Sequence, residues 1–326
     1  NLNIQRDLTP TTSVTVGYVG NHGVHMLNRE DDVNSVLPAL TPQGYLWPSP
    51  RGSGTRLNPN VGDIRGLYWA GDSLYDALQV SVEKRMSHGF QLGGSYTWGK
   101  IIDSGSASVI GDPFVNSISS LLYFCKSCRR GLADFNIAQT LVVNYVWDLP
   151  TPNNWGTIPS HVLGGWELGG VVTAETGVPI TPLIGGDPLG LNSQDPYAFP
   201  NRLNISGCQS TVNPGNPNSY VKLNCFAAPS PLTLLGNAGR NTVVGPGLAT
   251  YDFSLMKNNY IKSISENFNV QFRAEFFNIL NRANFATPTD NETLFDQSGN
   301  PVGAAGAIDS TSTSQREVQF AVKVIW

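Results

Sequence analysis

A chain of 326 residues with 13% charged side chains and a formal net charge of -4 offers no basic surface for nucleic acid. Its hydrophobic residues make up 40% of the total. They never reach the run of about 20 that a membrane-spanning helix requires, so helical spanning is excluded.

The first residues, Asn1-Leu2-Asn3-Ile4-Gln5, have neither the charged n-region nor the apolar h-region of a secretory signal. The expectation is a mature piece or a fragment that begins inside a structural element, with a first strand in Leu2–Leu8. From there a two-residue alternation recurs, and successive strand side chains point to opposite faces. Val14, Val16 and Tyr18 alternate with Ser13, Thr15 and Gly17. Leu78, Val80 and Val82 alternate with Gln79, Ser81 and Glu83. Phe90, Leu92, Tyr96 and Trp98 follow, then Leu141, Val143, Tyr145 and Trp147, where Val142 and Val146 break the polar row. Trp166, Leu168 and Val172 oppose Glu167 and Thr173, and Tyr251, Phe253 and Leu255 oppose Asp252 and Ser254. Phe268, Val270, Phe272, Ala274 and Phe276 oppose Asn269, Gln271, Arg273 and Glu275. The last stretch sets Val318, Phe320, Val322, Val324 and Trp326 against Glu317, Gln319, Ala321 and Lys323. This makes about nine strands, with Ile64–Trp69 a candidate tenth.

Connections near 8–11, 86–89, 149–162 and 259–266 are short, and those near 20–73, 100–135, 175–248 and 282–313 are long. In a meander, this strict alternation gathers every long connection at one end. Strands with one oily and one wet face, short turns at one end and long loops at the other predict an antiparallel up-and-down transmembrane β-barrel. With the last strand running inward, the long loops are extracellular. Tyr145, Trp147, Trp166 and Trp326 then fall at the periplasmic rim, and Tyr18, Tyr96, Trp98 and Tyr251 at the outer rim, as two interfacial belts. The alternative is a soluble β-sandwich, an adhesin or glycan-binding module, with these aromatics in its core. An odd strand count with open edges predicts a segment of a larger closed barrel, because unpaired backbone groups do not survive in lipid.

Several segments carry a resemblance. Ser73-Leu74-Tyr75-Asp76-Ala77-Leu78-Gln79-Val80-Ser81-Val82-Glu83-Lys84-Arg85, with Gly89-Phe90-Gln91-Leu92 and Ser95-Tyr96-Thr97-Trp98-Gly99-Lys100, resembles the barrel of Oar-like TonB-dependent outer-membrane receptors. So do Gly236-Asn237-Ala238-Gly239-Arg240-Asn241, Gly245-Pro246-Gly247 and Asp252-Phe253-Ser254-Leu255. Phe276-Phe277-Asn278-Ile279-Leu280-Asn281-Arg282-Ala283-Asn284-Phe285 is similar to that family's penultimate-strand signature, and Tyr18-Val19-Gly20-Asn21-His22-Gly23 to its strand-end motif. The resemblance implies a 22-stranded barrel plugged by an N-terminal domain and energised through TonB. On it, this chain is the C-terminal portion, residues 1–326, and plug and TonB engage it through a part not included here. It also implies that the terminal strand, with Phe320, Val322, Val324 and Trp326, is an assembly signal read by the barrel-assembly machinery.

Candidate sites divide into four sets. Cys125 and Cys128 form a C-x-x-C pair outside any thioredoxin-like context, and Cys208 and Cys225 lie in another long loop. An even count in extracellular loops favours disulfides Cys125–Cys128 and Cys208–Cys225. Of the histidines, His22 and His25 sit in a glycine-containing segment without convincing ligand partners, and His88 and His161 in short turns. Asp187, Asp195, Asp290, Asp296 and Asp309 supply loop oxygens but no EF-hand pattern. Glu83, Arg85, Glu167, Asp252, Arg273, Glu275, Glu317 and Lys323 project from the wet face, where a lumen, a plug or water would meet them. No nucleophile elbow, P-loop or zinc-protease motif is present. The expectation is therefore no enzyme and no cofactor, but an outer-membrane receptor for a ligand the sequence does not name, with outer-membrane lipid around it. A passive porin is the remaining alternative.

Overall fold

The computed structural model of the chain describes residues 1–30, 32–48, 56–106, 122–151, 162–191 and 197–326. Nine long strands run through it. They are β1 (Leu2–Thr9), β2 (Thr12–Glu30), β3 (Gly66–Ser87), β4 (Phe90–Asp103), β5 (Gln139–Asp148), β6 (Trp166–Glu175), β7 (Leu248–Tyr260), β8 (Asn269–Phe277) and β9 (Glu317–Ile325). Each pairs antiparallel with the next, so spatial order equals chain order. The two-residue strand Gly131–Leu132 pairs with the end of β4. Among the described residues the outer edges of β1 and β9 have no strand partner, so the sheet stays open.

Register turns the alternation into two continuous faces. One row runs Ile4–Val16–Val80–Tyr96–Leu141–Ala174, and another Trp147–Leu168–Leu255–Ala274–Phe320. Rows on the opposite face read Gln5–Thr15–Ser81–Ser95–Val142–Thr173–Thr250 and Gln91–Val146–Gly169–Ser254–Glu275–Gln319. The apolar face is not covered by protein: Phe272 is 53% and Phe320 78% exposed. A sandwich would bury those side chains against a second sheet. On β3 the apolar band ends at Asp76, which faces Lys100, and at Lys84. The eight residue steps between them span ~27 Å at about 3.3–3.4 Å each. Strand tilt brings that close to the ~25 Å band of an outer-membrane barrel.

Three expectations need correction. Residues 20–73 are not one long loop. β2 and β3 stay paired from Thr12 opposite Lys84 to Glu30 opposite Gly66, through bulges around Met26, so the connection is only 31–65. Ile64–Trp69 is accordingly no tenth strand, because β3 already begins at Gly66. Nor do Tyr145 and Tyr251 belong to separate belts. Their hydroxyls hydrogen-bond at 2.6 Å, because the Tyr145 ring lies across Gly170, where an added Cβ would meet it at 2.6 Å. One hydroxyl donates to the other, so the two ring ends meet at one level of the apolar face.

The long connections gather at one end of the sheet. The buried apolar core lies there: apart from Ala77 and Met256, the sheet strands contribute none of it.

Candidate functional site

The candidate site is the cap built from the described parts of connections 31–65, 104–138, 176–247 and 278–316, together with the polar sheet face below it. Its ladders are short. Ala39–Thr41 pairs with Gly44–Leu46, Pro179–Ile180 with Val243–Val244, and Asn201–Arg202 with Phe226–Ala227, while Leu183–Ile184 pairs in parallel with Thr293–Phe295. None could persist alone; burial of what they carry holds them. Ile184, Leu189, Leu191, Val221, Leu122 and Leu294 are almost wholly enclosed in one apolar cluster. Different connections interlock within it. The Phe124 ring packs edge-on against Tyr45 at 5.2 Å and Trp47 at 5.8 Å. The Leu235 N–H donates to Tyr45 O, and the Val221 N–H to Gly306 O.

Both cysteine pairs are disulfides. Cys208–Cys225 stands beside the Asn201–Arg202 ladder, where the Leu203 N–H donates to Cys225 O at 2.9 Å. Cys125–Cys128 closes the turn of a four-residue helix, α1 (Lys126–Arg129), whose cations face the outer ends of β2 and β3. Arg129 meets Glu30 at 3.4 Å, the Tyr68 hydroxyl and Ala70 O, and Arg130 pairs with Asp72. Burial pulls the Arg129 guanidinium below its ordinary value, against the opposing pull of Glu30 and Asp72.

A second buried junction ties connection 176–247 to β4. The fully enclosed Arg240 pairs with Asp103, reaches Asp134 at 3.4 Å, and donates to Arg129 O at 3.0 Å and Ser106 Oγ at 3.3 Å. Asn241, in the left-handed region at φ 54, donates to Leu132 O and Asp134 and accepts from the Thr181 hydroxyl. Asparagine tolerates that backbone better than most residues. Nearby, burial, with Asp134 and Asp290 adding to it, pushes the Glu292 carboxyl up to about 7. Sequence reasoning singled out none of Arg129, Glu292 or the Arg240–Asp103–Asp134 group. Arg240 and Asn241 were visible only inside the Gly236–Asn241 motif.

Where cap meets sheet, a crevice of about 520 Å³ is lined by Asn28, Asp72, Ser73, Tyr75, Asp103 and Phe135, among others. It offers hydroxyl, amide and carboxylate groups and two rings, suited to hydrogen bonding a polar molecule.

The wet-face candidates share the polar face, and the structure brings some of them together. Arg273 and Glu275 lie 3.8 Å apart, and Arg273 also reaches Met256 Sδ. Glu167 stands opposite Met256, the next row from Asp252 being Ser254. Lys323 faces Gln271, and Glu317 faces Phe277. Asp252 is committed to structure, accepting the Asn278 N–H at 2.8 Å. Asn278 in turn grips Arg282 O and Ser314 O, so the Phe276–Phe285 motif is a strand-ending turn. Glu83 is in register with Gly93, whereas Arg85 lies at the hairpin where the register breaks. Phe320, Val322, Val324 and Trp326 are exposed at the other edge.

His22 and His25 lie exposed on β2, and His88 takes φ 52 in the β3–β4 turn. Among the described residues no three His, Cys, Asp or Glu gather as a metal site. Asp296 organises its own turn, accepting from the Ser298 and Asn300 N–H groups. The Leu191 N–H donates to Asp187, Asp290 adjoins Glu292, and Asp309 is exposed. His161 and Asp195 lie outside the described residues.

Residues 1–319 match the outer membrane beta barrel domain. The chain belongs to that family. Its place is the bacterial outer membrane, so the apolar face of this barrel domain meets lipid and the polar face the interior. Among solved structures it is similar to the outer membrane transporter YddB from Escherichia coli, at 11% identity and a TM-score of 0.44, over 98% of this chain and 31% of that one. The barrel domain thus spans about a third of that protein's length. No curated protein matches it.

Proposed function

We propose that this barrel domain is part of a TonB-dependent, Oar-like receptor that binds a ligand on the outside and takes it up. The observation that carries the reading is the cap: four long connections, all at one end of the strands, folded together over a polar-faced sheet. A passive pore has no need of a packed, twice-disulfide-bonded assembly at its mouth. The open edges of β1 and β9 support a place within a larger closed barrel, since lipid leaves such edges unsatisfied. The polar face, with Glu83, Glu167, Arg273, Glu275 and Lys323, is where a plug would dock and through which TonB would act on the barrel. The exposed row at β9 fits recognition by the assembly machinery. Function here is binding and transport, not catalysis.

Orientation is the first test. Epitope tags at Gly207 or Gly299, in cap turns, are expected to bind antibody on intact cells, and tags at His88 or Asn267, in short turns, only after lysis. The reverse pattern overturns the orientation. TonB dependence is tested by uptake in cells lacking TonB. Uptake that persists there returns the domain to a passive pore.

A further inference from the structure

At the short-turn end of the apolar face lies a groove of about 400 Å³, within the range of small-molecule sites. Ala274 is its floor. In the register, Ala274 stands between Leu255 and Phe320, and the next row is Lys257–Phe272–Val322, so one small side chain among large ones leaves a trough. The walls are Leu255, Phe272 and Phe320.

One end is different. Lys257 projects from this lipid-facing row beside Trp166, its Nζ 5.9 Å from the ring centre. It forms no ion pair among the described residues, and its hydrogen bond goes to the carbonyl of Asn258 at 3.3 Å. Trp166 is fixed by donating to Val162 O at 2.9 Å. A cation and an indole at the mouth of an apolar trough match the two ends of a phosphate-bearing lipid: a chain along the trough and a phosphate at the ammonium.

We propose that this groove is a lipid site, seating one acyl chain of an anionic phospholipid with its phosphate on Lys257. The choice of phospholipid rests on the orientation proposed above, which turns this end toward the periplasm and the phospholipid leaflet.

The test uses the full-length protein carrying this domain, in detergent, by native mass spectrometry. Phosphatidylglycerol, phosphatidylcholine with the same chains, and lipid A are titrated in turn. Retention of phosphatidylglycerol over phosphatidylcholine is expected at about fivefold, the effect of one Lys near an anionic headgroup. Lys257→Gln is expected to equalise the two lipids, and Ala274→Leu, which fills the trough, to weaken both. Both positions face lipid, and heat-modifiable migration of the folded barrel verifies each variant. If Ala274→Leu fails to assemble, Lys257→Gln still decides. Equal retention by wild type, a preference that survives Lys257→Gln, or stronger retention of lipid A overturns the proposal. The tag experiment reads orientation independently, so a reversed barrel and an absent lipid site give different results.

Discussion

The sheet and the cap use the same apolar residues in opposite ways. On the sheet, Phe272 and Phe320 stand exposed, and their burial waits for lipid. In the cap, Ile184 and Leu294 are 0% exposed, although they sit in segments without hydrophobic periodicity. The sheet is held by register and by its solvent of hydrocarbon; the cap is held by its own core, buried ion pairs and disulfides. One chain therefore contains two stability problems, and a substitution should disturb one without the other.

The sharpest break is expected at Arg240. Arg240→Ala leaves Asp103 buried without its cation, a loss of about 3–5 kcal/mol. Limited proteolysis of intact cells should then cut the cap while the outer-membrane level of the protein stays near wild type. Loss of membrane insertion would mean that cap and sheet fold as one unit. The mirror experiment is Phe272→Arg, expected to impair insertion by about 2–4 kcal/mol, whereas Gln271→Arg on the polar face is tolerated. Equal damage from the two in a membrane-folding assay would remove the distinction between faces. Next comes Cys208→Ala with Cys225→Ala, which opens a loop of sequence separation 17 and costs the cap roughly 3 kcal/mol. The readout is cap proteolysis with and without reductant, and wild type under reductant should match the variant.

The smallest effect is pH-linked. Glu292 ordinarily titrates near 4.5 but sits at about 7 in the folded cap. The folded state therefore holds a proton that the unfolded state releases, so this group lowers cap stability as pH rises from 4.5 to about 7 and contributes no further change above that. Glu292→Gln should flatten that slope and stabilise the cap at pH 8 by at most about 3 kcal/mol. An unchanged slope in denaturant titrations at pH 5 and pH 8 would place the burial cost elsewhere.

The strands were readable because a half-buried strand has period two whatever surrounds it. The reading of Phe268–Phe276 became β8 within a residue, and Leu141–Trp147 became β5. The outer half of the β2–β3 hairpin was not readable. Gly20, Gly23 and His25 (φ 54) interrupt the alternation, and only pairing between the two strands shows that it continues. The cap was invisible for a different reason. Its core takes Trp47, Leu122, Leu183 and Phe295 from four distant stretches, and no local pattern announces a contact between them. The cysteine pairing could be read from spacing and compartment. The task of Arg240 could not, because a buried cation is defined by the carboxylates that surround it.

Both disulfides close within a single connection, Cys125–Cys128 inside 104–138 and Cys208–Cys225 inside 176–247. Neither ties one hairpin to another. Oxidation can therefore be complete before any two strands have met, and no crosslink restricts which hairpin finds its neighbour first. On the proposed orientation, each ring travels to the far side of the bilayer as a small closed loop on an otherwise open chain. The timing of thiol chemistry is thereby uncoupled from the threading of the barrel, and an early bond cannot trap a wrong strand order.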